Sequence, residues 1–119
     1  MNSDELKLRT KQFALRIINL VDALPKTLVG RTLGAQLIRS GTSVAANYRA
    51  VCRARSKNEF ISKLGIVVEE SDESVFWLEM IIETRLLKQA LVESLLKEAS
   101  EITAIMVASV NSSRKNNKK

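Results

Sequence analysis

Residues 33–64 read LGAQLIRSGTSVAANYRAVCRARSKNEFISKL, and the phase and punctuation of this stretch decide the fold. At the angular step of an α-helix, Leu33, Leu37, Val44, Tyr48 and Val51 fall in one narrow sector and make a core-facing stripe. Gly30, Gly34, Gly41, Ala45 and Cys52 flank that stripe and leave room for a neighbouring helix. A helical glycine costs about 1 kcal/mol relative to alanine, so three in one helix require a packing reason. Gly41, between Ser40 and the Thr42-Ser43 pair, is the expected place for a kink. Ser56-Lys57-Asn58-Glu59 then reads as a capping box, with Ser56 accepting from the Glu59 N–H and Glu59 reaching back. One helix therefore spans about residues 27–55 and the next starts at Lys57. A join this short favours antiparallel neighbours.

Working outward, the pattern repeats on both sides. A first helix is predicted over about residues 4–24, capped by Ser3 or Asp4 and stopped by Pro25. Leu6, Phe13, Ile17, Leu20 and Leu24 form its core face. A second apolar line, Leu8, Leu15 and Ile18, lies on another side and points to self-association. The third helix is predicted to run to about Lys88. Phe60, Leu64, Val67, Ser71, Val75, Leu78 and Ile82 form one stripe, and Ile66, Glu70, Glu73, Trp77, Ile81 and Thr84 a second. A fourth helix over about residues 92–112 turns Leu95, Ala99, Ile102, Met106 and Val110 inward. No strand pattern or internal repeat competes. The expected architecture is an all-α, antiparallel up-down four-helix bundle over residues 1–113, followed by a basic flexible tail at 114–119.

The 119-residue length fits one domain, and no run of apolar residues is long enough for a membrane span. The charged start MNSDELKLRTKQ lacks the apolar core of a signal peptide. With Cys52 as the lone cysteine, a cytoplasmic location is expected. Histidine is absent, which excludes histidine-based triads and histidine metal sites, and no glycine-rich phosphate loop occurs. No enzyme activity, cofactor or metal is therefore expected. Net charge is +6 but unevenly placed: residues 1–57 carry 11 basic and 3 acidic side chains, and residues 58–113 carry 4 and 10. A basic half and an acidic half suggest contacts between copies of the chain and a polyanionic partner.

Two groups of polar residues are candidates for function. Arg31, Arg39, Arg49 and Arg53 share one sector of the second helix, a stripe about 33 Å long at the helical rise. Arginine forks suit phosphate, and Arg55, Lys57, Arg114 and Lys115 extend the basic surface. The competing reading has equal weight: Glu69, Glu70, Asp72 and Glu73 of the third helix could pair with the same arginines, within or between chains. The expectation is that Arg31 and Arg39 lie on the surface and that Arg49 and Arg53 lie nearer those carboxylates. The second group, Gln36, Ser40, Ser43 and Asn47, forms a polar line on the second helix. It is expected to be a buried hydrogen-bonding seam, with Glu70 or Glu73 as acceptor. The few aromatics sit mostly on apolar stripes, so any nucleic-acid contact should be to phosphate rather than by base stacking.

RSGTSVAANYRA at 39–50, followed by SKNEFISKLGIVVEESDESVFWLEM at 56–80, resembles the bacterial four-helix-bundle family that includes proteins encoded in intervening sequences of large-subunit ribosomal RNA. The same family is similar to the accessory variability determinant of diversity-generating retroelements. The distinctive residues are Arg39 to Ser43, Ala46 to Arg49, Phe60-Ile61, Lys63-Leu64, Glu70, Glu73 and Trp77 to Glu79. The resemblance implies an up-down bundle that assembles as a ring-like homopentamer. It also implies a basic surface that binds nucleic acid and, in the retroelement relatives, a partner reverse transcriptase. It brings no catalytic residues. Many relatives carry an acidic residue where this chain has Ala50, which makes the second helix more basic here.

Overall fold

The computed structural model describes residues 1–117 and contains four helices: α1 (Ser3–Asp22), α2 (Leu28–Cys52), α3 (Lys57–Glu83) and α4 (Gln89–Asn117). Each helix packs on its neighbours in sequence, and α1 closes the bundle on α4, so α1 and α3 lie on one diagonal and α2 and α4 on the other. This is the up-down four-helix bundle read from the pattern. It measures 52 × 22 × 20 Å.

The expected core stripes face inward because burial follows helical phase. All five stripe residues of α2 are buried, as are Leu6, Phe13, Ile17 and Leu24 from the α1 segment and all five of α4. Val92 and Ile81 join the same core, while Leu20, Phe60, Val75 and Ile82 are only partly buried at its edge. The second line on α1 stays outside, with Leu8 57% and Leu15 53% exposed and Ile18 also at the surface.

The glycines of α2 have the packing reason that their cost demands. A Cβ on Gly41 would sit 2.8 Å from both γ-carbons of Ile17, so α1 crosses α2 at contact distance there. At Gly30 the close neighbour is backbone, the Pro25 carbonyl oxygen, at 2.0 Å from such a Cβ. The helix runs unbroken through Gly41, so this glycine serves the α1–α2 contact and marks no interruption.

Helix ends differ from expectation where local chemistry is subtle. Asn2 caps α1, its side chain accepting from the Glu5 N–H at 2.8 Å, in place of Ser3 or Asp4. Thr27 is the cap of α2, accepting from the Gly30 N–H, where it was read as the first helical residue. Ser56 caps α3 and accepts from the Glu59 N–H at 3.1 Å. The α3 helix stops five residues early. Arg85 takes a left-handed φ of 58°, the Leu86 N–H donates to the Ile81 carbonyl and the Arg85 N–H to the Ile82 carbonyl. That is a Schellman turn with arginine where glycine is usual, so no glycine announces it. At the other end α4 continues past Ser112 to Asn117, which takes Arg114 and Lys115 into the helix. Lys118 and Lys119 lie outside the described residues.

Small hydroxyls fill the seams where helices approach closely. Ser40 of α2 meets Ser74 of α3 at 2.9 Å, and Thr103 of α4 donates to Ser71 of α3 at 2.9 Å. The α1–α4 seam is the least extensive and is clamped by charge. Arg9 donates from Nε and Nη2 to the two carboxylate oxygens of Glu98, at 2.8 and 2.7 Å, and from Nη2 to Glu101 at 2.9 Å. Among the described residues no buried side-chain nitrogen or oxygen lacks a partner.

Candidate nucleic-acid interface

The antiparallel register of α2 against α3 determines which arginines are neutralised. It brings Arg39, near the middle of α2, beside the mid-helix carboxylates of α3. Arg39 Nη1 donates to Glu70 at 3.0 Å and Nη2 donates to Glu73. The Trp77 indole N–H donates to the same Glu73 at 3.2 Å. These donors hold the Glu73 carboxyl below its usual range, the Arg39 bond contributing most, and the carboxylates raise the Arg39 guanidinium.

Ten to fourteen residues further along the chain, Arg49 in the last turn of α2 and Arg53 at its C-cap come level with the start of α3. The carboxylates of mid-α3 are out of reach there. Among the described residues Arg49 and Arg53 make no ion pair, and both are exposed. Arg31 and Arg39 lie at the surface as expected, but the pairing differs from expectation: Arg39 is the arginine that pairs with α3, and Arg49 and Arg53 are the bare ones. Arg31 lies at the opposite end of α2, where it donates to the Lys26 carbonyl at 2.7 Å. The four arginines share a helical sector but do not act as one stripe.

What the fold assembles instead is a basic patch across three helices. Arg49 and Ala46 stand between two clefts. On the α1 side the cleft is lined by Lys7, Lys11 and Ala45 together with Ala46 and Arg49. On the α3 side it is lined by Ala50, Arg53, Arg55, Glu59 and Lys63 together with the same two residues. Among the described residues Glu59 is the one carboxylate lining these clefts, and it lies 3.8 Å from Arg55, a loose pair with an exposed partner. Lys57 in the first turn of α3, and Arg114 and Lys115 in the last turn of α4, are exposed at this same end of the bundle because neighbouring helices alternate in direction. Lys7 and Lys11 were not singled out in the sequence, and Lys63 only as part of the family resemblance, not as a basic contact. The four-residue spacing of Lys7 and Lys11 marks a basic face on α1, but only the packing shows what it faces.

The polar line on α2 is divided. Ser40 is buried and bonded to Ser74. Gln36, Ser43 and Asn47 are half-buried, and Asn47 Nδ2 donates along its own helix to the Ser43 carbonyl and hydroxyl, at 2.9 and 2.8 Å. Glu70 and Glu73 are also half-buried and are engaged by Arg39, so the expected Asn47–carboxylate contact is absent. The buried partner across the seam is Ser74, a residue whose importance no helical-stripe count revealed. Burial also pushes the Tyr48 phenol up to about 12, with neighbouring Cys52 adding to the effect.

Among the described residues no group of histidine, cysteine or acidic side chains could hold a metal ion, and no helix is long and apolar enough to cross a membrane. Comparison with known proteins bears out the resemblance read from the residues. A family model described as 23S rRNA-intervening sequence protein matches residues 5–108. A solved structure from Bacteroides thetaiotaomicron, described as a protein with unknown function from the S23 ribosomal protein family, is 33% identical to the chain. It superposes with a TM-score of 0.80 over 93% of this chain and 99% of that one. No curated protein matches.

Proposed function

The chain belongs to the 23S rRNA-intervening sequence protein family, and on that premise we propose that it is a non-enzymatic, self-associating cytoplasmic protein that binds nucleic acid through the basic end of its bundle. The observation that carries this reading is the cluster of cations without an ion pair among the described residues, Lys7, Lys11, Arg49, Arg53 and Lys63, around a floor of alanines. Cations left without carboxylates keep their charge available for phosphate, and small side chains let a backbone come close. No aromatic ring lines either cleft, so the contacts are to phosphate and are independent of base sequence.

Self-association is supported by unpartnered faces on α1 and α3. Leu8 and Leu15 crown α1, and Phe76, 49% exposed, and Ile66 crown α3. Because α1 and α3 are diagonal, these faces look in different directions. Contact between unlike faces propagates head to tail and closes into a ring or runs on as a filament. The family resemblance favours a ring of five. It also suggests two settings, an accessory role beside a reverse transcriptase or a product of an rRNA intervening sequence. The flanking genes separate these settings.

The test is a gel-shift titration of RNA and duplex DNA at about 50 and about 200 mM salt, a range over which phosphate contacts weaken strongly. Binding at the lower salt that weakens steeply at the higher, and falls with Arg49→Gln and Arg53→Gln, is expected. The absence of any shift at the lower salt would reject the reading. Arginines serving only as subunit contacts would instead show as a smaller oligomer in the same variants. Light scattering after size exclusion reads that directly against the 13.3 kDa protomer.

A further inference from the structure

We infer that the basic end takes a double-stranded nucleic acid, with α2 laid along a wide groove and each flanking cleft holding the phosphates of one strand. This rests on the nucleic-acid reading and makes it more specific. The two clefts lie on opposite flanks of α2 and meet only at Ala46 and Arg49. Lys7 and Lys11 line the outer wall of one, and Lys63 lines that of the other beside Arg53 and Arg55.

Size decides between one strand and two. The outer rows are carried by α1 and α3, which stand on either side of α2, so they are separated by at least the width of a helix with its side chains, about 10–12 Å. The major groove of B-form DNA is about 12 Å wide. The minor groove of A-form RNA is also wide and shallow. Either presents two phosphate rims that the two rows can meet together. A single strand has one row of phosphates and engages one cleft at a time.

The chemistry of the ridge agrees with the spacing. Along α2 it carries Ala45, Ala46 and Ala50, which are small enough to let the helix approach a groove, with Arg49 as its one long side chain. Single-strand binders derive much of their affinity from stacking bases on aromatic rings, about 1–3 kcal/mol per base, and no such ring lines these clefts. What remains is charge, and a duplex carries twice the phosphates per unit length of one of its strands.

The experiment is fluorescence anisotropy on the full chain with three probes of one sequence: a 20-base-pair DNA duplex, the matching RNA duplex and the labelled DNA strand alone. At least one duplex is expected to bind about tenfold more tightly than the single strand, with a salt slope near −0.9 per phosphate contact. Lys7→Gln with Lys11→Gln on one flank, and Arg53→Gln with Lys63→Gln on the other, should each lower duplex affinity and flatten that slope by roughly one unit per lost contact. Circular dichroism confirms that these surface variants keep their helix content. Single-strand binding as tight as both duplexes, or dependence on one flank only, overturns this inference and leaves nucleic-acid binding intact. If none of the three probes binds at about 50 mM salt, the underlying reading fails as well.

Discussion

Gly41→Ala is expected to destabilise the bundle although it removes a helical glycine. The added methyl would lie 2.8 Å from Ile17 Cγ1, 2.8 Å from Cγ2 and 3.1 Å from Cβ. Ile17 is fully buried, so it has no solvent side to move toward. Its β-branched side chain holds one strongly preferred χ1 in a helix, and turning it merely exchanges one γ-carbon for the other. Relief requires α1 and α2 to part slightly. Overpacking of this kind costs about 1–3 kcal/mol. Replacing a helical glycine by alanine returns about 1 kcal/mol, so the net loss is about 0–2 kcal/mol. Gly65→Ala is the control, since among the described residues nothing beyond its chain neighbours and its own helix backbone lies within 4 Å of its would-be Cβ, and it should gain about 1 kcal/mol. A double-mutant cycle isolates the contact. Ile17→Ala alone should lose about 2–5 kcal/mol. In that background Gly41→Ala should become stabilising, because its methyl enters the space that Ile17 vacates. Urea denaturation followed by far-UV circular dichroism measures all four variants. A Gly41→Ala protein more stable than wild type, or one whose effect keeps its sign in the Ile17→Ala background, would refute the close approach of α1 and α2.

Acid should weaken the fold through two carboxylates. Arg39 and Trp77 lower Glu73, and Arg9 lowers Glu98, so both sit below their usual range in the folded state. Groups lowered by folding contribute stability above the unfolded value, about 4.3, and lose it as pH falls through the folded one. Thermal melts stepped downward from pH 5 should therefore fall less steeply for Arg9→Gln than for wild type, and equal slopes would count against the Arg9–Glu98 clamp. Tyr48 is the only tyrosine, so the ultraviolet phenolate signal should titrate at about 12 in the native protein. A value near 10 would place the ring in water. Arg85→Gly should raise stability by about 0.5–1 kcal/mol in a denaturant melt, since a left-handed backbone strains any residue with a Cβ and glycine gives back part of the gain in entropy. A loss would show that the arginine side chain itself supports the turn.

Burial in this bundle was legible because helical phase is a local property. Five apolar residues of α2 at the right angular step had to share a face, and the four-helix pattern left that face one place to go. The same arithmetic found the outward line of Leu8, Leu15 and Ile18. It found the Ser56 cap because a serine three residues before a glutamate is a local signal. It missed the end of α3, where arginine occupies the left-handed position that glycine usually marks.

The sequence by itself therefore determined an all-α up-down bundle, its core and the imbalance of charge along the chain. Tertiary structure decided which charges remain free. Phase tells which residues share a side of one helix, and so it grouped Arg31, Arg39, Arg49 and Arg53 as equivalents. Their partners lie on another helix, and the level at which two antiparallel helices meet depends on the length of the turn between them and the fit of Ser40 to Ser74. That register set Glu70 and Glu73 beside Arg39 and left Arg49 and Arg53 at the end where Lys7, Lys11 and Lys63 converge. Coulomb energy falls with distance, so a displacement of a few helical turns separates a neutralised arginine from a bare one.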